Sequence, residues 1–210
     1  MMNKKTPKVR FDGFNSEWKY KKLYEAADFF NEKRVPVDSE KRKTGIYPYY
    51  GATGIIDYVE DYIFDGEYVL LAEDGANIII RNRPVAYIAK GKFWVNNHAH
   101  IMKSKNGSNS FLYQLLERQN YEKYNSGTAQ PKLNSKVVKE INLPFPSTEE
   151  QQKIGQFFKQ LDDRIALQQR QIELLKESKQ GFCRRCFRRM ENEYRWFDLM
   201  GLVKNGKSVS

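Results

Sequence analysis

The stretch STEEQQKIGQFFKQLDDRIALQQRQIELLKESKQGF, residues 147–182, decides how this chain is organised. It contains no proline, and Ser147 and Glu150 stand at the spacing of a capping box, which marks a helix start. At about 1.5 Å per residue the helix reaches roughly 50 Å, more than a small neighbouring domain needs as cover. The pattern therefore predicts one long helix that forms a region of its own.

Apolar residues recur along this helix with the heptad spacing of a coiled coil. The a positions are Phe158, Ile165, Ile172 and Lys179, and the d positions are Ile154, Leu161, Gln168, Leu175 and Phe182. Gln168 and Lys179 are the two polar members of this stripe. An apolar stripe of this length requires a second helix beside it, and the chain has one such helix. We therefore predict that these residues form a dimerisation helix.

Upstream of the helix, residues 1–146 alternate short strand, turn and helix signals. The spacing of Leu23, Ala26, Ala27 and Phe30 predicts a helix over residues 18–30. The segment FDGE predicts a tight turn, and Lys90-Gly91-Lys92 predicts a junction between two strands. A further helix follows, with Ser110 as its cap. The expected fold class is α+β: a globular domain with a twisted, mixed β-sheet and short helices, followed by one long coiled-coil-forming helix.

The chain thus divides into three predicted regions. Residues 1–146 form the globular domain, residues 147–187 the long helix, and residues 188–210 a basic tail or the truncated start of a second repeat.

The composition favours a polyanionic partner. The chain has 36 Lys and Arg against 26 Asp and Glu, a formal charge of +10. No apolar run approaches the roughly 20 residues needed to span a bilayer, and no signal peptide is visible. The two cysteines, Cys183 and Cys186, are typical of free thiols in a reducing, cytoplasmic setting. Their C-x-x-C spacing lacks the second pair that a zinc site requires, so no metal site is predicted.

The sequence lacks the motifs of the common enzyme classes. It contains no P-loop, no GxGxxG after a strand, no HExxH and no GxSxG. The segment GTAQPKLN, residues 127–134, is predicted to be a turn, with Asn134 capping a short helix after it. Its Thr128, Gln130 and Lys132 side chains either brace the domain, which we favour, or point outward to a phosphate. We therefore expect no catalytic residues in this chain.

Three stretches, residues 40–54, 74–83 and 95–100, instead suit nucleic acid, because cations neutralise phosphates while amides and hydroxyls contact base edges. Lys132 of the GTAQPKLN segment is a further candidate. Asn, Asp and Gly are also ordinary turn residues, so each assignment competes with a structural role. The predicted DNA-binding residues are Lys41, Arg42, Lys43, Tyr47, Tyr49, Tyr50, Thr53, Asn77, Arg81, Arg83, Asn96, Asn97, His98 and Lys132.

Six segments occurring in order resemble the DNA-specificity subunit of type I restriction–modification systems. They are PKVRFDGFNSEWKYKKL, YPYYGATGIIDYV, FDGEYVLLAEDGAN, FWVNNHAHIMK, GTAQPKLN and the helical stretch from INLPFP to KQGF. Their specificity comes from their order, and together they span residues 7–182.

The resemblance implies that residues 1–146 are a target-recognition domain and residues 147–187 a helical spacer. It implies double-stranded DNA, a methyltransferase subunit and a restriction subunit as partners. The cofactors S-adenosylmethionine, ATP and Mg²⁺ would belong to those partner subunits and none to this chain. Family members carry two recognition domains and two antiparallel helices, whereas this chain has one of each. We therefore expect a homodimer with its two helices antiparallel about a two-fold axis, which would read one half-site twice and supply the missing half.

Three alternatives remain open from the sequence. The chain is a truncated or phase-variant specificity subunit with partial or no activity, a coiled-coil adaptor that binds no DNA, or a methyltransferase. The adaptor does not explain the basic, Asn-rich first region, and the missing cofactor loop argues against the enzyme.

Overall fold

A computed structural model describes residues 7–105 and 107–199, with side chains in the last helix described up to residue 185 and at Arg188. The chain divides into two compact units, one ending at Gln160 and one beginning at Leu161. The elements in chain order are β1 (Lys19–Lys22), α1 (Leu23–Ala26), β2 (Ala27–Phe29), β3 (Thr44–Gly51), β4 (Gly54–Val59), β5 (Phe64–Ala72), α2 (Asn77–Ile80), β6 (Ala86–Val95), β7 (Ala99–Ser104), α3 (Asn109–Glu117), α4 (Ser135–Lys139), β8 (Asn142–Phe145) and α5 (Thr148–Leu199).

The first unit is built on a six-stranded sheet with the order β2-β7-β5-β6-β3-β4. The sheet is mixed, because β3 runs parallel to β6 while the other neighbours are antiparallel. A separate pair, β1 with β8, joins the start of the domain to its end. The mixed sheet and the long helix after it confirm the predicted fold class.

Strands β5 and β6 form the centre of the sheet, and both continue through glycines where the sequence predicted turns. Gly66 lies directly opposite Gly91, with φ angles of 128° and 75°. Glycine adopts such angles without a Cβ clash, so the paired strands pass through this point without ending. The predicted turn at FDGE and the predicted junction at residues 90–92 are therefore wrong.

The predicted helix over residues 18–30 is also wrong. Only Leu23–Ala26 is helical, and strands flank it on both sides. β1 pairs with β8 and β2 pairs with β7, so tertiary pairing overrides the local helical pattern.

The core lies on both faces of the sheet because β5 alternates its side chains. Val69 and Leu71 point to a cluster that includes Phe111 and Leu116 of α3. Leu70 points to the opposite cluster. That second cluster holds Phe64, Ala89, Phe93, Val95, Ala99 and Ile101, with Phe30, Tyr50, Tyr68 and Tyr87 packed around it.

Helix caps follow the sequence signals closely but not always at the predicted residue. Asn134 caps α4 as predicted, accepting a hydrogen bond from the Lys136 amide. The cap of α3 is Ser108 and not Ser110, since its hydroxyl accepts from the Phe111 amide. At α5, the Ser147 hydroxyl accepts from the Glu150 amide at 3.3 Å, which agrees with the predicted capping box in one of its two bonds.

The first turns of α5 are fastened to the domain by the segment before β1. The buried Glu150 carboxylate accepts two hydrogen bonds from Arg10, at 2.8 and 2.6 Å. Phe11 packs edge-on against Phe157 at a centroid distance of 5.6 Å, and Ile154 packs against the core. Ile154 therefore serves the first unit within its own chain.

The second unit contains the rest of α5, and its predicted stripe is exposed to solvent in the single chain. The exposed fractions are 38% at Leu161, 53% at Ile165, 51% at Ile172, 70% at Leu175 and 65% at Phe182. Gln168 and Lys179 are also exposed. The helix continues beyond residue 187 to Leu199, and the rest of the predicted tail, residues 200–210, lies outside the described residues. In the part of the chain described here, no helix is both long and apolar enough to cross a membrane.

Candidate nucleic-acid interface

A cleft of about 510 Å³ opens on the first unit between three stretches that are distant in the sequence. Its walls come from residues 36–42 before β3, from Tyr49 on β3, and from residues 96–98 between β6 and β7. The parallel pairing of Tyr49 with Trp94 and of Tyr50 with Val95 brings these stretches together. The cleft gathers six of the predicted DNA-binding residues: Lys41, Arg42, Tyr49, Asn96, Asn97 and His98.

Arg42 and Tyr49 form the floor of the cleft through internal contacts. The Arg42 guanidinium lies 4.5 Å from the Tyr49 ring centroid and donates to the Val37 carbonyl and to Asp57. The Tyr49 hydroxyl accepts from the Val37 amide, and its side chain is buried. The Tyr58 amide and then Arg42 hold the pKa of Asp57 below its usual value. These contacts fix the loop that carries Lys41, whose side chain is 77% exposed beside Asp38.

The segment Asn96-Asn97-His98 divides into one brace and two exposed side chains. Asn96 is buried, and its carbonyl oxygen accepts from the His98 amide at 2.8 Å. His98 contacts Asp74 through its Nδ1 at 2.8 Å. The Asn97 side chain is exposed and makes no hydrogen bond to another described residue. Asn97 is thus the amide that remains available to a ligand in the cleft.

Lys132 and the GTAQPKLN loop lie beside Asp74. Lys132 pairs with Asp74 as an isolated β-bridge, and the Gly75 amide donates to the Pro131 carbonyl at 3.0 Å. Asn125 closes the loop by accepting from the Gly127 and Lys132 amides. These bonds agree with the predicted bracing turn, and they leave Lys132 exposed, its Nζ 3.6 Å from Glu73.

The loop around α2 holds Asn77 and Arg81 as structural residues. Asn77 donates to the Arg83 and Pro84 carbonyls and accepts from the Arg83 amide. Arg81 has a positive φ of 55° and binds Glu117 of α3 and the Gln119 carbonyl. Arg83 is exposed, and no ion pair joins it to another described residue.

The remaining predicted residues belong to the β3–β4 hairpin and its approach. Lys43 is exposed and binds Glu60 at 2.9 Å, a hydrogen bond that raises the pKa of Lys43. Tyr47 packs against Tyr62, and Thr53 is exposed in the hairpin turn. Tyr50 points away from Tyr49, stacks on Tyr87, and has its pKa raised by burial.

A buried network behind the cleft was not predicted from the sequence. Arg34 binds Glu73 at 2.7 Å and the Ala99 carbonyl at 2.8 Å. His100 is buried between Asn31 and the Leu133 carbonyl, with its Nδ1 3.5 Å from Glu73. Burial lowers the pKa of His100 against the opposing effect of Glu73. Arg34 and Glu73 lie 39 residues apart in the sequence, and Asn31 and His100 lie 69 residues apart. No local sequence pattern therefore identifies this network.

The arrangement offers recognition chemistry in the form of exposed amide, ammonium and imidazole groups on a braced framework. Among the side chains that the structure describes, no three of His, Cys, Asp or Glu converge as metal ligands would.

Comparison with known proteins identifies one family. A profile described as the type I restriction modification DNA specificity domain matches residues 15–177. A putative type I restriction enzyme specificity subunit of Haemophilus influenzae is 42% identical over 132 residues, which are 62% of this chain and 34% of that protein. A putative type I specificity subunit of Mycoplasma pneumoniae is 30% identical over 165 residues, covering 76% and 43% of the two chains.

The fold is shared with solved structures at low sequence identity. A type I restriction-modification system S subunit from M. genitalium matches with a TM-score of 0.71 and 17% identity, over 98% of this chain and 58% of that one. A chain from a structure of type I R-M complex assembly and conformational transition matches with a TM-score of 0.54 and 16% identity, over 78% and 42%. This chain thus spans less than half of these two curated relatives.

Proposed function

Since this chain belongs to the family of type I restriction–modification DNA specificity domains, we propose that it is a sequence-specific DNA-recognition subunit. In this proposal the chain directs a methyltransferase subunit and a restriction subunit to a bipartite site on double-stranded DNA. The chain itself performs no chemistry. S-adenosylmethionine, ATP and Mg²⁺ act in the partner subunits, and the complex works in the cytoplasm.

The cleft is the observation that carries the proposal. It presents Lys41 from one stretch, and Asn97 and His98 from another, above a floor held by internal bonds. An exposed amide can make the bidentate pairing to adenine, and a nearby ammonium can neutralise a phosphate. A braced loop lowers the entropy lost when such side chains bind.

The exposed stripe on α5 supports a homodimer as the active form. Leu161, Ile165, Ile172, Leu175 and Phe182 expose large apolar side chains along one helix. Burying such a side chain stabilises a complex by about 1.5–3 kcal/mol in area terms, before association costs are subtracted. Two copies related by a two-fold axis read the same half-site in inverted orientation, so the expected target is an interrupted palindrome.

The test is co-expression with the cognate methyltransferase subunit, followed by mapping of the methylated sites across a genome. We expect one interrupted palindrome. With the variant Leu161→Asp/Ile165→Asp, which places two carboxylates in the apolar stripe, the complex should methylate no such site. Methylation at an asymmetric site would contradict the homodimer, and methylation without sequence preference would contradict recognition.

Two further measurements separate the alternatives. The purified chain should bind DNA with an affinity that falls steeply as salt rises, which a protein adaptor would not show. A filter assay for methyl transfer by the chain alone should give no signal, and activity there would contradict a purely recognising role.

A further inference from the structure

The apolar stripe of the second unit is interrupted by two polar residues, Gln168 and Lys179. Both are exposed in the single chain, as are the apolar residues on either side of them. Gln168 holds a d position and Lys179 holds an a position of the same heptad repeat. Polar residues at such positions cost stability but fix how two helices align.

A parallel alignment of two copies is disfavoured by this pattern. Helices that run in parallel and in register place each residue opposite itself. Lys179 would then face the partner's Lys179 in the centre of the seam, and two ammonium groups repel each other there.

In an antiparallel alignment each a residue faces a d residue of the other helix. One register places Gln168 opposite the partner's Lys179. The same register places Ile172 opposite the partner's Leu175, and Ile165 opposite the partner's Phe182. Every apolar member of these layers then meets an apolar residue, and each polar member meets a polar one.

The neighbouring registers lose this match. A slip of one heptad, about 10 Å along the helix, places Lys179 opposite the partner's Leu161 in one direction. In the other direction it places Lys179 opposite the partner's Leu175. In both cases an ammonium group faces an apolar side chain and Gln168 loses its polar partner, which is unfavourable in a desolvated seam.

We propose that a second copy of this chain docks antiparallel on α5 with its two-fold axis passing between Glu173 and Leu174. The Gln168 side-chain oxygen accepts a hydrogen bond from the Lys179 ammonium of the other copy, and the two symmetric bonds set the register. This inference rests on the proposed homodimer and specifies its alignment.

Contacts of Ile154 and Phe158 within their own chain explain why the helix–helix seam begins after these two residues. Ile154 packs against the core of its own domain, and Phe158 contacts Phe157 and lies beneath the Arg118 guanidinium. The pairing uses neither residue. It needs only residues of the second unit.

Disulfide crosslinking tests the register without altering Gln168 or Lys179. The chain is first changed at Cys183→Ser and Cys186→Ser to remove its own thiols. In this background Ile165→Cys/Phe182→Cys should crosslink two chains, because the two positions face each other across the seam. The matched variant Ile165→Cys/Leu175→Cys reports the register slipped by one heptad, and Ile165→Cys alone reports a parallel pair.

We expect a shift from the monomer band to the dimer band on a non-reducing gel for the first variant only. Adding Gln168→Leu and Lys179→Leu to the second variant should make its dimer band appear, since the register is then free to slip. Light scattering at micromolar concentration is measured alongside. A dimer that crosslinks through the second variant but not the first overturns the register, and one that crosslinks through Ile165→Cys alone overturns the antiparallel alignment. Both results leave the homodimer standing. A monomer by mass overturns both.

Discussion

Lys41 and Arg42 are neighbours in the chain but have different roles in the cleft. Arg42 stacks on Tyr49 and donates to Val37 and Asp57, so its guanidinium is occupied. Lys41 is exposed beside Asp38 and can turn toward a ligand. The same division separates Asn96 from Asn97. If DNA binds here as proposed, the side chains that the framework leaves unoccupied are the ones that contact it.

Asn97→Ala should reduce sequence discrimination while leaving the fold intact. The Asn97 side chain is exposed and makes no hydrogen bond to another described residue, so its loss should remove only the proposed base contact. We expect the preference for the cognate site over single-base variants to fall by about 5- to 150-fold, the equivalent of about 1–3 kcal/mol. Competition binding with a panel of single-substitution DNA duplexes measures this ratio.

Lys43→Ala is the matched control. Lys43 is exposed and pairs with Glu60, so it suits contact with a phosphate. Its loss should weaken all DNA about equally and lower the salt slope by about one. The opposite result, in which Lys43 changes the preference and Asn97 does not, would reverse the two roles.

His100 should make folding stability depend on pH. Burial lowers its folded-state pKa below the ordinary value of 6.5, so the unfolded chain binds the proton more readily. The stabilisation is present above pH 6.5 and is lost as the pH falls toward the folded-state pKa, at up to about 1.4 kcal/mol per pH unit. Urea unfolding of the wild type and of His100→Gln between pH 7.5 and 5 should show a shallower decline in the variant.

Residue types in the cleft were predictable from the sequence, but their availability was not. The sequence identified Asn96, Asn97 and His98 as candidates because their side chains suit base edges. Whether each one is occupied depends on partners such as Asp74 and on its burial, which only the assembled fold determines. Arg34 was missed for the same reason, because its partner Glu73 lies in a distant part of the sequence.

Among the elements, those whose pattern is local were predicted and those defined by distant pairing were not. Helix α5 and the cap at Asn134 follow from spacing and side-chain chemistry within a few residues. β1 depends on its pairing with β8, and β2 on its pairing with β7, and both partners lie far along the chain. The apolar spacing of residues 18–30 therefore predicted a helix where the fold forms two strands. Gly91 illustrates a second limit, because a glycine signals positive φ without showing whether the strand ends.

Gly155→Ala should loosen the contact between α5 and α3. Gly155 is buried against the N-terminal cap of α3, where an added methyl would collide with the Ser108 hydroxyl and lie 3.0 Å from the Phe111 nitrogen. Because the Ser108 cap has to move, we expect a loss of about 1–3 kcal/mol in the free energy of unfolding, measured by urea denaturation.

Gly181→Ala is the same substitution in the same helix at an open position. Alanine favours the helix over glycine by about 1 kcal/mol, so this variant should keep or increase the helical signal in circular dichroism. Equal destabilisation by both variants would show that close packing at Gly155 is not the cause.

For the whole molecule, Leu161→Asp/Ile165→Asp should separate the two copies. The new carboxylates lie in the predicted seam, where an unpaired charge is strongly unfavourable. Light scattering should report the monomer mass in place of the dimer mass at micromolar concentration. The thermal transition of the first unit should be unchanged, because these residues lie beyond Gln160, where that unit ends. An unchanged dimer mass would exclude these helices as the interface.

Trp94 gives the molecule an optical reporter at the place where ligand is expected. Its indole Nε1 donates a hydrogen bond of 2.6 Å to the Val35 carbonyl. Val35 directly precedes Pro36, the first residue of the cleft wall. Trp18, by contrast, packs against Phe111 in the core on the α3 side of the sheet. DNA entering the cleft should therefore change the emission of Trp94 and leave that of Trp18 constant. The emission change should be absent in Trp94→Phe. In the wild type this change would give the rates of DNA binding and dissociation, without a label on either molecule.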